Sequence, residues 1–412
     1  MKNIFSAADI LLPDFEKTNG TKWSVIACDQ FTSEAEYWEE TEKTVGDAPS
    51  ALRLILPELY LGKNDGGRID AIHTAMDDYK ATVLKKHKDS MIYLRRTCPT
   101  GKVREGLVGK IDLEAYDYNK GAKTPIRATE GTVLERIPPR VKVRRGASLE
   151  LPHVMLLIDD AENRLFSLLG EKRGERAYAF PLMQGGGAVE GFFVSNEVQE
   201  AALSVLDGLS GQDGLVFAVG DGNHSLASAK AYYEEIKASL GEEKAKNHPA
   251  RYALAEIVNI HSEALVFEPI YRVVFGADRA DLLREMKAFA EAQKGKTLAQ
   301  SVEVVYAEDG EERKEKFTFP VGAHTLTVGT LQIFLDEYVK THEGVEIDYI
   351  HGEDSLRALA KKEGAIGFLF DGMRKDELFR TVICDGALPR KTFSMGIARE
   401  KRYYLEAREI SL

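Results

Sequence analysis

Gly220-Asp221-Gly222-Asn223-His224-Ser225 places a carboxylate, an amide, an imidazole, a hydroxyl and two glycines in six consecutive residues. Such a set can move protons, hold a divalent ion, or present polar groups to phosphate. The flanking patterns say where it lies. Leu215 to Val219 is a short apolar run with the branched and aromatic character of a buried strand. Leu226, Ala229, Tyr233, Ile236 and Leu240 recur at steps of three or four, which predicts a helix from Leu226 onward. The six residues are therefore expected on a loop between strand and helix. There, unpaired N–H groups and the positive end of the helix dipole attract anions. Gly222, Asn223 and Ser225 become the expected phosphate contacts, and Asp221 and His224 the acid–base pair, with Asp221 also the expected metal ligand. A capping Asn223 or Ser225 with two turning glycines explains the polar residues singly, but calls for no Asp and His together.

Other segments offer secondary candidates. Trp23 to Ala27 reads as a strand ending in Cys28-Asp29-Gln30, and Ser33 with Glu36 predicts a helix through Val45. Asp29 is thus a second carboxylate at a strand end. The segment Ile126 to Arg145 combines Arg127, Arg136, Arg140, Arg144 and Arg145 with Thr129, Glu130 and Thr132. Glu130 joins Asp29 as a candidate base or metal ligand. Pro138-Pro139 argues against a regular helix there. A helix is expected over Asp70 to Lys86, and Gln184-Gly185-Gly186-Gly187 reads as a turn between two strands.

The bulk numbers narrow the class. At 412 residues, the chain is too long for one small core, and 44% hydrophobic with 29% charged residues is a globular composition. Three regions are expected: an N-terminal α/β region (1–90), a central β-rich region carrying the polar loop (91–275), and a C-terminal α/β region (276–412). The fold class is mixed α/β (α+β), with several β-rich segments and flanking helices, since long βαβ alternation is not sustained. Within 276–412, helices are expected from Arg279 to Gln293 and from Thr330 to Lys340. Cys28, Cys98 and Cys384 are few and far apart, which fits a reducing cytoplasm. No apolar run approaches a membrane span, and Met1 to Phe5 does not read as a signal peptide. A formal charge of −11 makes nonspecific nucleic-acid binding a poor expectation.

Several short motifs, in order, resemble the domain-of-unknown-function family 1015: Ala27-Cys28-Asp29-Gln30, Gly106-Leu107-Val108-Gly109, Ile126 with Thr129-Glu130-Gly131-Thr132, Asp221-Gly222-Asn223-His224, Glu268-Pro269-Ile270-Tyr271-Arg272-Val273-Val274 and Leu388-Pro389-Arg390-Lys391-Thr392-Phe393. Members of that family are often labelled chromosome-partitioning proteins of the ParB type, through a loop similar to one in the ParB/sulfiredoxin fold. The resemblance implies a strand–loop–helix element that binds nucleotide phosphates, possible nucleotide-dependent phosphotransferase or hydrolase activity, and a nucleotide with magnesium as cofactor. Related loops place an arginine where this chain has Ser225, so Arg136, Arg140 or Arg272 is the expected substitute. The resulting expectation is a cytoplasmic nucleotide- or phosphate-binding enzyme acting on a phosphorylated small molecule, with homo-oligomerisation possible. The alternative is a non-catalytic, DNA-associated partition-type protein contacting DNA through Arg140, Arg144 and Arg145.

Overall fold

Successive residues of the 91–94 run point to opposite faces of one sheet. Ile92 and Leu94 pack with Trp23, Ile69, Ile72 and Met76, whereas Met91 and Tyr93 pack with Leu165, Phe166 and Leu203. A sheet buried on both faces needs helices on both. The Gly66–Thr82 helix covers one face; the Arg164–Glu171, Asn196–Asp207 and Asn223–Leu240 helices cover the other. In this computed structural model, which describes residues 1, 3–63, 65–211, 213–294 and 297–412, the ten-stranded sheet organises the first of two units. Its main path runs Arg176–Pro181, Ala188–Phe193, Ile92–Thr97, Val103–Asp112, Tyr252–Asn259, Met155–Ile158, Phe217–Asp221, Ile126–Ala128, Tyr116–Asp117.

The register of three central strands builds the site. Phe217–Asp221 runs parallel to Ile126–Ala128, with Val219 opposite Ala128, and antiparallel to Met155–Ile158, with Asp221 opposite Met155. Asp221, the segment after Ala128 and the segment before Met155 therefore emerge at one edge. That edge gathers Asp221, Glu130 and His153.

The first unit comprises residues 1–265 and 397–412, and the second 266–396. This differs from three consecutive regions divided near 90 and 275. Phe5–Ser6 pairs with Val103–Asp112, and the C-terminal residues return to pair Arg408–Glu409 with Leu149–Glu150, so backbone pairing crosses any break at 90. The second unit has its own antiparallel sheet, ordered Glu311–Phe319, Gln300–Glu308, Ala365–Leu369, Phe267–Phe275, Glu346–His351, with Arg279–Ala292 and Thr327–Thr341 among its helices. The mixed α/β class with several sheets is the observed one.

Several local expectations are corrected. Residues 23–27 form no strand: Gly20–Trp23 is a short helix, and Ile26 makes a single bridge to Tyr403. The second long helix ends at Thr82, and the basic residues 85–88 lie on the Leu84–Ser90 strand, paired with Ala8–Pro13. Pro138 and Pro139 sit in the first turn of an Ile137–Arg144 helix, where the missing N–H groups would have had no helical partner. Gln184–Gly187 does join two strands of one hairpin, Arg176–Pro181 and Ala188–Phe193.

Candidate functional site

The strand–helix junction is tighter than its sequence suggests. The strand extends through Asp221 and the helix begins at Asn223, so only Gly222 separates them. One residue can reverse direction this way because Gly222 adopts a left-handed φ of 76°, where a side chain is strained. His224 and Ser225 consequently lie in the first helical turn, not on a loop. Gly222 is the N-cap, and no side chain caps this helix. Its first-turn N–H groups are left for solvent or a ligand.

Charged groups converge there from distant parts of the chain. Asp221 Oδ1 accepts from Gly222 N at 3.0 Å, and its Oδ2 lies 3.4 Å from Lys401 Nζ. Lys401 thus stands where a cation would meet Asp221. Among the described residues, the one grouping of three mutually close potential metal ligands is in the second unit and excludes Asp221. Asp29 Oδ2 lies 3.9 Å from His153 Nε2, and Oδ1 accepts from Gln30 Nε2 at 3.0 Å. Burial works against the Asp29 charge, yet His153, Gln30 and Lys401 outweigh it and hold the carboxyl below its ordinary range. His153 Nδ1 is 2.9 Å from the Tyr404 hydroxyl, which accepts from Cys28 N at 3.1 Å. Burial, together with Cys28 and Asp29, pushes the Tyr404 pKa well above its ordinary value. The phenol therefore keeps its proton, which is directed at His153 Nδ1, leaving Nε2 to face Asp29. The Cys28 thiol is likewise pushed up, by burial and then by Asp29 and Glu58, so it is no ready nucleophile.

His224 Nε2 accepts from Val133 N at 3.3 Å. Burial, then Arg140 and Arg136, lowers its pKa to about 4, against the opposing pull of Asp29. At neutral pH His224 is an uncharged imidazole with Nε2 as acceptor. This depressed folded value has a sign: below its unfolded value of 6.5, the unfolded chain binds the proton first. Stability is present above pH 6.5 and is lost as pH falls toward 4. Because the ring is only half-buried, solvent screening reduces this to about 1 kcal/mol. A His224→Gln variant is expected to lose that much less stability between pH 7 and pH 4.5 in urea unfolding. Equal losses in both proteins would show that His224 does not contribute.

The remaining candidates separate. Arg140, on the Ile137–Arg144 helix, donates through Nε to Glu58 Oε1 at 2.9 Å, and Arg136 is exposed beside it. Arg144 pairs with Glu150 at 2.5 Å and Arg145 with Glu235 at 2.6 Å. The arginine run is thus largely neutralised by carboxylates, which removes the basic face the DNA-associated reading needed. Glu130 follows the Ile126–Ala128 strand by two residues, and Thr129 Oγ1 ties this segment to Val219 O at 2.7 Å. Arg272 belongs elsewhere. It is fully buried in the second unit and donates to Gln332 Oε1 at 2.7 Å and to the carbonyls of Ile270, Arg390 and Lys391. Those acceptors give it a structural role there.

Two buried side-chain atoms near His224, Asn223 Oδ1 and Thr132 Oγ1, lack hydrogen-bond partners among the described residues. Such atoms are costly unless a ligand or water meets them. Ser225, Ser228, Cys28, His153 and Tyr404 also border a cavity of about 120 Å³ whose other walls include Leu54, Ile55, Leu56, Met76, Val143 and Leu149. His153, Lys401 and Tyr404 were not singled out in the sequence. A histidine two residues before the buried Met155–Ile158 strand is the available signal for His153; Lys401 and Tyr404 carry none.

No helix among the described residues is long and apolar enough to cross a membrane. No curated protein matches the chain. A conserved hypothetical protein from Pyrococcus furiosus is similar at 14% identity, over 73% of this chain and 94% of that one, with a TM-score of 0.34. A free serine kinase in complex with AMP is similar at 15% identity over 74% and 91%, with a TM-score of 0.36. SbnI from Staphylococcus aureus, with a C-terminal truncation, is similar at 10% identity over 70% and 83%, with a TM-score of 0.34. At these scores the likenesses carry no inference about activity. The sequence match is broader: residues 13–384 fit the family described as "Protein of unknown function (DUF1015)", and the chain belongs to that family.

Proposed function

We propose that the chain is an enzyme that binds a nucleotide or another phosphorylated small molecule, with the phosphate at the N-terminus of the Asn223–Leu240 helix. The observation that carries this reading is the helix start itself. Its N-cap is a left-handed glycine with no capping side chain, which leaves first-turn N–H donors for an anion, while the unpartnered Asn223 Oδ1, an acceptor, suits a hydroxyl or cation carried with the phosphate. Lys401 and Arg136 supply the positive charge that Ser225 does not. Asp221, Asp29 and Glu130 are the carboxylates available to take a proton, and the neutral His224 ring supplies a hydrogen bond. The cavity beside Ser225, with aliphatic walls interrupted by Glu58, Arg140, Arg144 and Glu150, suits a non-phosphate portion that carries both apolar and polar groups. A magnesium ion carried by the nucleotide would meet Asp221 only after Lys401 moves onto phosphate.

The test is calorimetric titration with ATP, ADP, CTP and inorganic phosphate, with and without magnesium. Arg136→Ala is expected to weaken binding by about tenfold, the value of one charge-assisted hydrogen bond. Asp221→Ala is expected to retain magnesium-free binding, because Lys401 is released toward phosphate, and to lose any magnesium-dependent increment. Failure of the wild-type protein to bind any of these at millimolar concentration would sink the proposal.

A further inference from the structure

A second polar cluster lies in the second unit, remote in sequence from the 221–225 junction. Asp281 and Glu285 stand one turn apart on the Arg279–Ala292 helix, and His342 caps the C-terminus of the Thr327–Thr341 helix. His342 Nε2 is 3.1 Å from Asp281 Oδ2 and 3.8 Å from Glu285 Oε1. One ligand atom from each residue lies within 4.8 Å of the other two.

The imidazole orientation is fixed from behind. Its Nδ1 lies 2.9 Å from the Tyr338 carbonyl oxygen and 3.0 Å from Thr341 Oγ1, so that side of the ring is held by its own helix. The ring also stacks on Tyr338, with centroids 3.8 Å apart and planes 14° from parallel. Nε2 is thereby turned toward two carboxylates, so that one nitrogen and two oxygens converge on one point. Asp281 is oriented as well, since the Tyr338 hydroxyl donates to its Oδ2 at 3.0 Å. A carbonyl-backed histidine and a hydrogen-bonded carboxylate are the supports that hold metal ligands in place. Four ligands at roughly 2.0–2.1 Å from a tetrahedral ion stand about 3.4 Å apart, which the observed separations bracket. Arg284 pairs with the other Asp281 oxygen, Oδ1, and leaves Oδ2 to the cluster.

We propose that Asp281, Glu285 and His342 form a site for a zinc-class divalent ion, with solvent completing its coordination. One nitrogen and two oxygen donors suit Zn²⁺ or Co²⁺ over the harder Mg²⁺ and Ca²⁺. The ion would tie the end of one helix to the start of the other, so binding would stabilise this unit.

The full-length protein, stripped with chelator, is titrated with Co²⁺ and read by its visible ligand-field absorption, then with Zn²⁺ in competition. The expected result is one saturable Co²⁺ site, displaced by Zn²⁺, with an upward shift in thermal unfolding. His342→Ala and Glu285→Gln should abolish it. Tyr338→Phe, which keeps the ring but loses the hydroxyl, should weaken it about tenfold. A salt-bridge cluster with Nε2 simply protonated predicts no saturable binding, and that outcome overturns the proposal. So does a cobalt spectrum unchanged in His342→Ala. If the variants fail to fold, Co²⁺-induced broadening of the His342 imidazole resonances in labelled wild-type protein decides the same question: no broadening overturns the site.

Discussion

Arg402→Met is expected to destabilise the first unit by about 3–5 kcal/mol, the usual cost of stripping one partner from a buried ion pair. Arg402 is 2% exposed and sits between two carboxylates that are more buried still. Its Nε donates to Glu256 Oε2 at 2.6 Å, Nη2 to Glu406 Oε2 at 2.7 Å, and Nη1 to Pro152 O at 2.6 Å. Tyr178 donates to the second Glu406 oxygen at 2.5 Å. Methionine fills similar volume but returns no charge, so Glu406 is left with only the Tyr178 hydroxyl and Glu256 with the more distant Arg104, 3.8 Å away. The effect should reach the candidate site, because Pro152 precedes His153 and Arg402 lies between Lys401 and Tyr404. Urea unfolding followed by tryptophan fluorescence measures the loss, since Trp23 and Trp38 both belong to this unit's core. Adding Glu256→Gln and Glu406→Gln to Arg402→Met should recover much of it by removing the stranded charges. A loss below about 1 kcal/mol in the single variant would mean the network is not closed as described.

This network also shows where the sequence stops being informative. The strand and helix around residues 217–240 were legible because apolar spacing reports local geometry directly. Their boundaries were misplaced because one left-handed glycine turned the chain in place of a loop. The helix through Pro138 and Pro139 was missed because proline is forbidden only beyond the first turn. Residues 84–86 pass from expected helix into the Leu84–Ser90 strand because its partner, Ala8–Pro13, lies over seventy positions away. The site's wall of Lys401 and Tyr404 depends on equally distant contacts: Ala27 N donates to Arg402 O, and Tyr404 N to Val25 O. Asp29 is legible in the sequence as a candidate, but its partner His153 is not, since the pairing exists only once the turn after the Ile26 bridge meets the segment leading into the Met155–Ile158 strand. Arg272 and Arg136 look alike as letters. Burial makes one a structural support and leaves the other exposed beside His224.

Gly222→Val is expected to cost at least about 3 kcal/mol and to lower phosphate affinity by ten- to a hundredfold. Two constraints act at this position. The left-handed φ of 76° costs a residue with a β-carbon about 1–2 kcal/mol, and a β-branched one more. A β-carbon there would also stand 3.0 Å from Val154 Cα and 3.2 Å from Val154 Cγ2. Val154 leads directly into the strand that pairs with Asp221, so the backbone can give way only by shifting that pairing. The two causes can be separated. Asparagine tolerates the left-handed region, so Gly222→Asn retains mainly the close approach, whereas Gly222→Ala carries both at minimal size. Stability and phosphate affinity should both fall in the order Gly, Asn, Ala, Val. The affinity loss follows from geometry: a few tenths of an ångström at residue 222 re-aims the first-turn N–H groups and separates Asp221 from Lys401. An Asn variant equal to wild type in both measurements would assign the whole constraint to φ. A Val variant with wild-type phosphate affinity would show that the helix N-terminus is not where the anion binds.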